Sequence, residues 1–398
     1  MPTLLKLQEP RPHVANPGRF ALWELGFRPF YLLASIFAAL SIALWALQFS
    51  GMLAHAYLSG PIWHAHEMLF GFTLAVVVGF LLTAGRNWSG QPTPTGAPLM
   101  ALAALWLMGR VLVLTPFGWA AALTNAAFPL AAAFGLGRSL VKGGSRRNYL
   151  FIGLLVVLSI AEMAIHLAQL GVAPAIGWIG VQAGLDVLLF IVSVMTGRVM
   201  PMFTNNGVPG AKAHSKPWLN AVASAAILLL LAADVLRADA AVIIVLAAFG
   251  AAAQLLRTLL WKPWKTWRQP IVWVLHVACL WIPAHLALRA GAQLGWIPPS
   301  MATHALTVGA VGGLIVAMMT RTARGHTARP LKADRCDVAI YVLVLASAPL
   351  RVLLPWIAPS TTRHAVLCAA LLWSAGFGLY AVRYWPVLTR SRLDGRPG

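Results

Sequence analysis

The stretch PFYLLASIFAALSIALWALQF, residues 29–49, carries no charged side chain from end to end. At about 1.5 Å per residue, a helix of that length covers the roughly 30 Å hydrocarbon core of a bilayer. It also exceeds the apolar run of a signal peptide, so it is expected to be an uncleaved first crossing. Comparable runs, bounded by basic residues, Pro or Gly, follow at 64–84, 98–115, 118–137, 149–169, 177–199, 218–236, 239–260, 270–289, 301–320, 337–357 and 362–382. The pairs within 98–137 and 218–260 have very short connections, yet each pair is long enough for two crossings. The reading is an all-α polytopic membrane protein of about twelve transmembrane helices. Residues 1–28 form a cytoplasmic N-terminal tail, 29–382 the twelve-span domain and 383–398 a cytoplasmic C-terminal tail.

Composition agrees. Of 398 residues, 60% are hydrophobic and 10% charged, where a soluble domain carries about 25% charged residues. An ordinary soluble enzyme is excluded, and so is a disordered chain, which needs low hydrophobicity. The net charge of +20 would suggest nucleic acid in a soluble protein, but no aromatic-basic groove or binding module accompanies it. Sidedness explains it better. Basic residues of both tails fall on one side with Arg86, Arg138–Arg147, Arg198–Lys216, Arg257–Arg268 and Arg321–Arg335. Only Arg237, Arg289 and Arg363 fall in the opposite loops, while Arg110 and Arg351 sit inside span ends. The positive-inside rule then puts both termini in the cytoplasm of a bacterial inner membrane. The stretch WKPWKTW, residues 261–267, fits an interfacial belt at the same face. Cys279, Cys336 and Cys368 form no CxxC pair, which leaves no disulfide framework or zinc knuckle.

A repetition runs at a spacing of four spans. Spans 2, 6 and 10 end VVVGFLLTAGR, LLFIVSVMTGR and GLIVAMMTR, with Thr83, Thr196 and Thr320 each just before an arginine. The approaches to spans 6 and 10 pair His166 with His285 and Trp178 with Trp296. Four spans preserve sidedness, so such repeats would be parallel, and the pattern suits three four-helix units.

Ionisable side chains inside the hydrocarbon are costly, face the protein interior and are functional candidates. His64, His66 and Glu67 open span 2, and Arg110 lies near the exit of span 3. Glu162 and His166 lie one turn apart in span 5, and Asp186 is near the middle of span 6. His276 and His285 lie in span 9, His304 at the start of span 10 and Arg351 near the end of span 11. Nearly all of these converge on the outer half. Other readings stand beside the functional one. Glu162 with His166 could be a structural pair, the arginines could merely neutralise Glu67 or Glu162, and Asp186 could pin a helix contact. His64 and His66 are roughly 200° apart on a helix, so one is expected to be a ligand and the other second to it. His276 and His285 are about 13 Å apart along an ideal helix, which disfavours a shared ion. Cys279, Met318 and Met319 read as core.

Neutral imidazole suits haem iron and copper. No CxxCH site occurs, so any haem would be a non-covalent haem b. Depth selects His66 and His304 as its axial pair, with His64 in place of His66 if span 2 starts earlier. Arg110, Arg351 or Arg289 would meet the propionates, and copper would go first to His276 and His285.

The blocks GFRPFYLLA (26–34), WHAHEMLFGF (63–72), GRVMPMF (197–203), THALTVGAVG (303–312) and MMTRTARGHTARP (318–330) resemble the NnrS family over nearly the whole chain. That resemblance implies a twelve-span, haem- and copper-containing membrane protein associated with nitric oxide stress and denitrification. Its histidine blocks fall on His64, His66, His304 and His326, and Ala328 stands where glycine is usual. The leading function is relief of nitric oxide stress, by binding NO or another small apolar gas, or by its haem-dependent redox conversion with an electron donor. A metal or small-solute transporter with an outward-facing vestibule, and a non-catalytic sensor or metalloprotein-protecting factor, are the alternatives.

Overall fold

The computed structural model describes residues 19–52, 57–58 and 60–396; the remaining residues, including the N-terminal Lys6 and Arg11 and the loop residue His55, lie outside the described part. Twelve helical segments follow one another: α1 Phe27–Phe49, α2 Gly60–Ser89, α3 Ala97–Leu112, α4 Gly118–Lys142, α5 Leu150–Gln169 and α6 Gly177–Gly207. Then come α7 Pro217–Val235, α8 Ala240–Leu260, α9 Pro270–Gln293, α10 Pro299–His326, α11 Arg335–Val352 and α12 Thr362–Thr389. Among the described residues eleven segments are long and apolar enough to cross a membrane, and α3, with 16 residues, is the short one. Proline at the first turns of α3, α7, α9 and α10 needs no amide partner there and presets the helical φ.

Burial separates the helices. The most apolar windows of α2, α6 and α10 are 78, 67 and 72% buried, against 33 to 61% for the other long spans. These three inner helices stand four apart in sequence, at the period of the repeated strings. Around them the other helices pack in chain order, α4 on α5 and α8 on α9, and α12 closes the bundle on α1. The three repeated threonines play one role: Thr83, Thr196 and Thr320 each donate back to their own helix, to Gly79, Val192 and Val316 carbonyls at 2.7, 2.8 and 2.9 Å. A hydroxyl satisfied in this way is tolerated in an apolar helix.

The two ends of the described chain meet at one end of the bundle. Ala21 N–H donates to the Thr389 carbonyl at 2.7 Å. The wholly buried Arg28, already inside α1, donates to the carbonyls of Leu388 and Arg390. Helices α2 and α10 enter from the opposite, distal end. Both break into π turns, at Glu67–Thr73 and Ala305–Gly312, directly after His66 and His304. Such turns take up an extra residue and recur at functional sites.

Candidate metal centre

Because α2 is an inner helix, both of its faces are interior, and the two histidines of WHAHEM serve different neighbours. His66 turns toward α5. Its Nδ1 lies 2.7 Å from Glu67 Oε1, and its Nε2 lies 3.1 Å from His166 Nε2 and 3.4 Å from Glu162 Oε1. All four side chains are buried. Ligands about 2.0–2.1 Å from a single ion, at angles of roughly 95–110°, would stand that far apart. The outer nitrogens are also engaged: Glu67 accepts from His66 Nδ1–H, and Tyr57 OH lies 3.1 Å from His166 Nδ1. This is the carboxylate–imidazole support that fixes a ligand's tautomer and leaves Nε2 free to bind.

Charge points the same way. Glu67 and Glu162 share one cation, Arg110, which donates to Glu67 Oε1 at 2.7 Å and stands 3.9 Å from Glu162 Oε1. Asn125 on α4 accepts from the same guanidinium and donates to the Ala121 carbonyl at 2.8 Å, which steers the fork. Glu162 Oε2 is buried without a partner. A bound cation among the imidazoles would supply the missing charge and use the orphaned oxygen. Gly71, in the π turn, makes room: a Cβ there would lie 2.6 Å from Arg110 Nη1 and 2.7 Å from Phe37 Cε1.

His64 turns the other way, into a cavity of about 940 Å³ at the distal end. Trp45, Gln182, His304, Arg351 and Trp373 also line it. The His64 and His304 rings are nearly parallel, 10° apart, with centres 6.1 Å from one another. His304 Nδ1–H donates to the Ser300 carbonyl at 2.6 Å, which leaves its Nε2 lone pair available. His64 Nδ1 is buried without a partner, and its ring stacks on Trp45. The cavity is within the size range of cofactor sites.

The structure therefore brings His66, Glu67, Arg110, Glu162 and His166 into one cluster, and His64, His304 and Arg351 into one cavity. His64, not His66, stands beside His304. His276 and His285 are not brought together. His276 Nε2 bonds Thr204 at 2.9 Å, and His285 Nδ1 donates to the Ala302 carbonyl at 2.7 Å. Asp186 pairs with Arg289 at 2.7 Å. His326 lies at the far end, its ring 5.6 Å from that of Phe27.

A family model described as NnrS protein matches residues 21–392. The chain belongs to the NnrS family. No curated protein matches the sequence. NnrS membership associates the chain with haem, copper and nitric oxide stress, and the buried His66–Glu162–His166 cluster could hold a metal ion.

Sequence reading missed Tyr57, Asn125 and Asp234. Tyr57 sits in a short connection with no periodicity to flag it. Asn125 in α4 was a readable signal, since an amide in an otherwise apolar span needs a partner.

Proposed function

We propose that this NnrS protein is a haem- and copper-binding protein of the bacterial inner membrane that takes up nitric oxide at the distal half of its bundle. The observation that carries the reading is the split on α2: His64 faces His304 across a large cavity, while His66 joins Glu162 and His166 in a buried three-ligand cluster. His64 and His304 would hold a non-covalent haem b. His66, His166 and Glu162 would hold the copper that family membership implies, the two imidazoles serving as its nitrogen ligands. When bound, the two metals supply redox chemistry and an affinity for small gases.

The chain's own residues do the rest. Arg110 pairs with Glu67 and Glu162 and fixes them in place, and Asn125 holds Arg110. Arg351 brings a cation to the cavity wall, where a propionate would need one. Trp45, Trp373 and the aliphatic lining make the cavity wall largely apolar, and a small apolar gas can enter from the bilayer. Distal means periplasmic here: the basic loops lie at the end where the described termini meet, which the positive-inside rule assigns to the cytoplasm.

The test is the visible spectrum and metal content of purified protein. His64→Ala and His304→Ala should lose the six-coordinate haem spectrum, and His66→Ala and His166→Ala should lose copper while retaining haem. The exposed His364, changed to Ala, should lose neither. A Soret band absent from the wild type refutes the haem reading and leaves transport through the cavity. Loss of haem in His66→Ala, with His64→Ala intact, would move the axial ligand to His66.

A further inference from the structure

Beyond the histidine cavity, away from the distal end, a second hollow of about 100 Å³ lies between the three inner helices. Val76 on α2, Leu188 and Val192 on α6, and Val311 and Leu314 on α10 line it. Helical spacing makes it the continuation of the cavity. On α6 Leu185 lines the cavity and Leu188 the hollow, and on α10 the same step runs from Val308 to Val311. Residues three or four apart share one face of a helix, so each of these helices turns a single face to both spaces. On α2 one residue, Thr73 at the end of the π turn, borders the two.

The walls differ in chemistry. His64, Gln182, His304 and Arg351 stand in the wall of the cavity, whereas among the described residues no charged or imidazole side chain lines the hollow. Its threonines, Thr73 and Thr196, spend their hydroxyl protons on the carbonyls of Met68 and Val192, each at 2.8 Å. Beyond them the polar group is the Tyr31 phenol, and a buried water makes about three hydrogen bonds. Packed interiors leave few voids larger than a water, so a space of this size with so little to offer water suits an occupant that forms no hydrogen bonds. Size narrows the class. Apolar cavities of about 150 Å³ stay dry and take up xenon or benzene. The present hollow is smaller and suits a single xenon atom or a diatomic gas.

We infer that this hollow is a dry holding site for a small apolar gas, in exchange with the histidine cavity past Thr73. Gas dissolved in the bilayer reaches the bundle without an aqueous channel, and the hollow keeps it beside the cavity wall. No bond forms or breaks in this step. The holding site stands by itself; its exchange with a cofactor rests on the haem reading of the cavity.

Xenon tests the two parts separately. Crystals of the full-length protein pressurised with xenon should show an anomalous peak between Val76, Val192 and Val311. Val311→Phe, whose ring would occupy the hollow, should lose that peak while the cavity keeps its shape. Should Val311→Phe fail to fold, Val192→Ile, one methylene larger, should lower the occupancy. No peak there in wild type, ordered water or an acyl chain in its place, or a peak unchanged in the filled variants overturns the holding site. Flash photolysis of carbon monoxide from the reduced protein then tests the exchange. Xenon should change the fraction of carbon monoxide that rebinds before escape in wild type, and should not do so in Val311→Phe. A wild type that takes up xenon in the hollow and rebinds carbon monoxide unchanged overturns the exchange. If the wild type binds no haem, the haem reading and the exchange with it fall together, and the xenon peak still decides the holding site.

Discussion

Arg110→Leu is the most informative single perturbation of the histidine cluster. Arg110 is 6% exposed and touches Glu67, Glu162 and Asn125. Its loss strands two carboxylates that are each 1% exposed. Removing one partner of a buried ion pair costs about 3–5 kcal/mol, because the surviving charge stays desolvated. A loss of that size lowers the folded-to-unfolded ratio by roughly two to four powers of ten. Most of the cost is the stranded charge and not the lost bond, so Arg110→Leu combined with Glu67→Gln should recover much of it. Thermal unfolding in detergent, run as a double-mutant cycle, measures this. Arg351 is the contrast. No described carboxylate pairs with it and it lines the cavity, so Arg351→Leu should weaken haem retention with little loss of stability. Arg390→Leu at the chain end should change neither. Additive losses in Arg110→Leu/Glu67→Gln, or an Arg110→Leu that unfolds with wild type, would refute the charge argument.

Three further outcomes are expected. Cysteines introduced at Lys142 and Lys262 should be labelled by a membrane-impermeant reagent in inverted vesicles and not in intact cells; labelling in intact cells would reverse the orientation. Gly71→Ala should destabilise by about 1–3 kcal/mol through overpacking against Arg110 and Phe37, whereas Gly153→Ala, where a Cβ meets open space, should be tolerated. The third concerns acid. Asp334, at the N-terminus of α11, is partly buried, which alone would raise its pKa. A hydrogen bond from Arg383, the Asp337 backbone N–H and the charges of Arg383 and Arg324 outweigh this and hold it at about 2, below the ordinary 3.8. A depressed carboxyl stabilises the fold fully above its unfolded pKa and loses that contribution as pH falls through the folded value. Between about pH 4 and 2 the wild type should therefore lose stability more steeply than Asp334→Asn, as followed by thermal unfolding across that range; parallel profiles would remove Asp334 from the account.

The crossings were legible because lipid enforces a simple rule. Every backbone group must bond within its own segment, so length and apolarity suffice to find a span. The inner helices were legible for a related reason. Only a helix surrounded by protein can carry His64 on one face and His66 and Glu67 on the other, and the repeated strings at spans 2, 6 and 10 fall on the three segments that are so surrounded. Partnership was harder to read. Depth along the membrane correctly gathers Glu67, Arg110, Glu162 and His166 at one level, yet depth is one coordinate, and azimuth decides which side chains meet. His64 and His66 have almost the same depth, and the two residues of rotation between them send one to His304 and the other to His166. The same blindness hid Asp234. It lies near a helix end, where a carboxylate reads as solvated, and only the packing of α7 on α6 shows that it shares Arg289 with Asp186. Arg257 is a mirror case. It reads as a loop cation near the basic belt, but it is 2% exposed and bonds Ser193 on α6 and Gln254 on its own helix. A charge near a span end can face headgroups or turn inward to a partner. Which it does is settled by what the neighbouring helix presents at that azimuth, and that information resides in pairs of residues far apart in the chain.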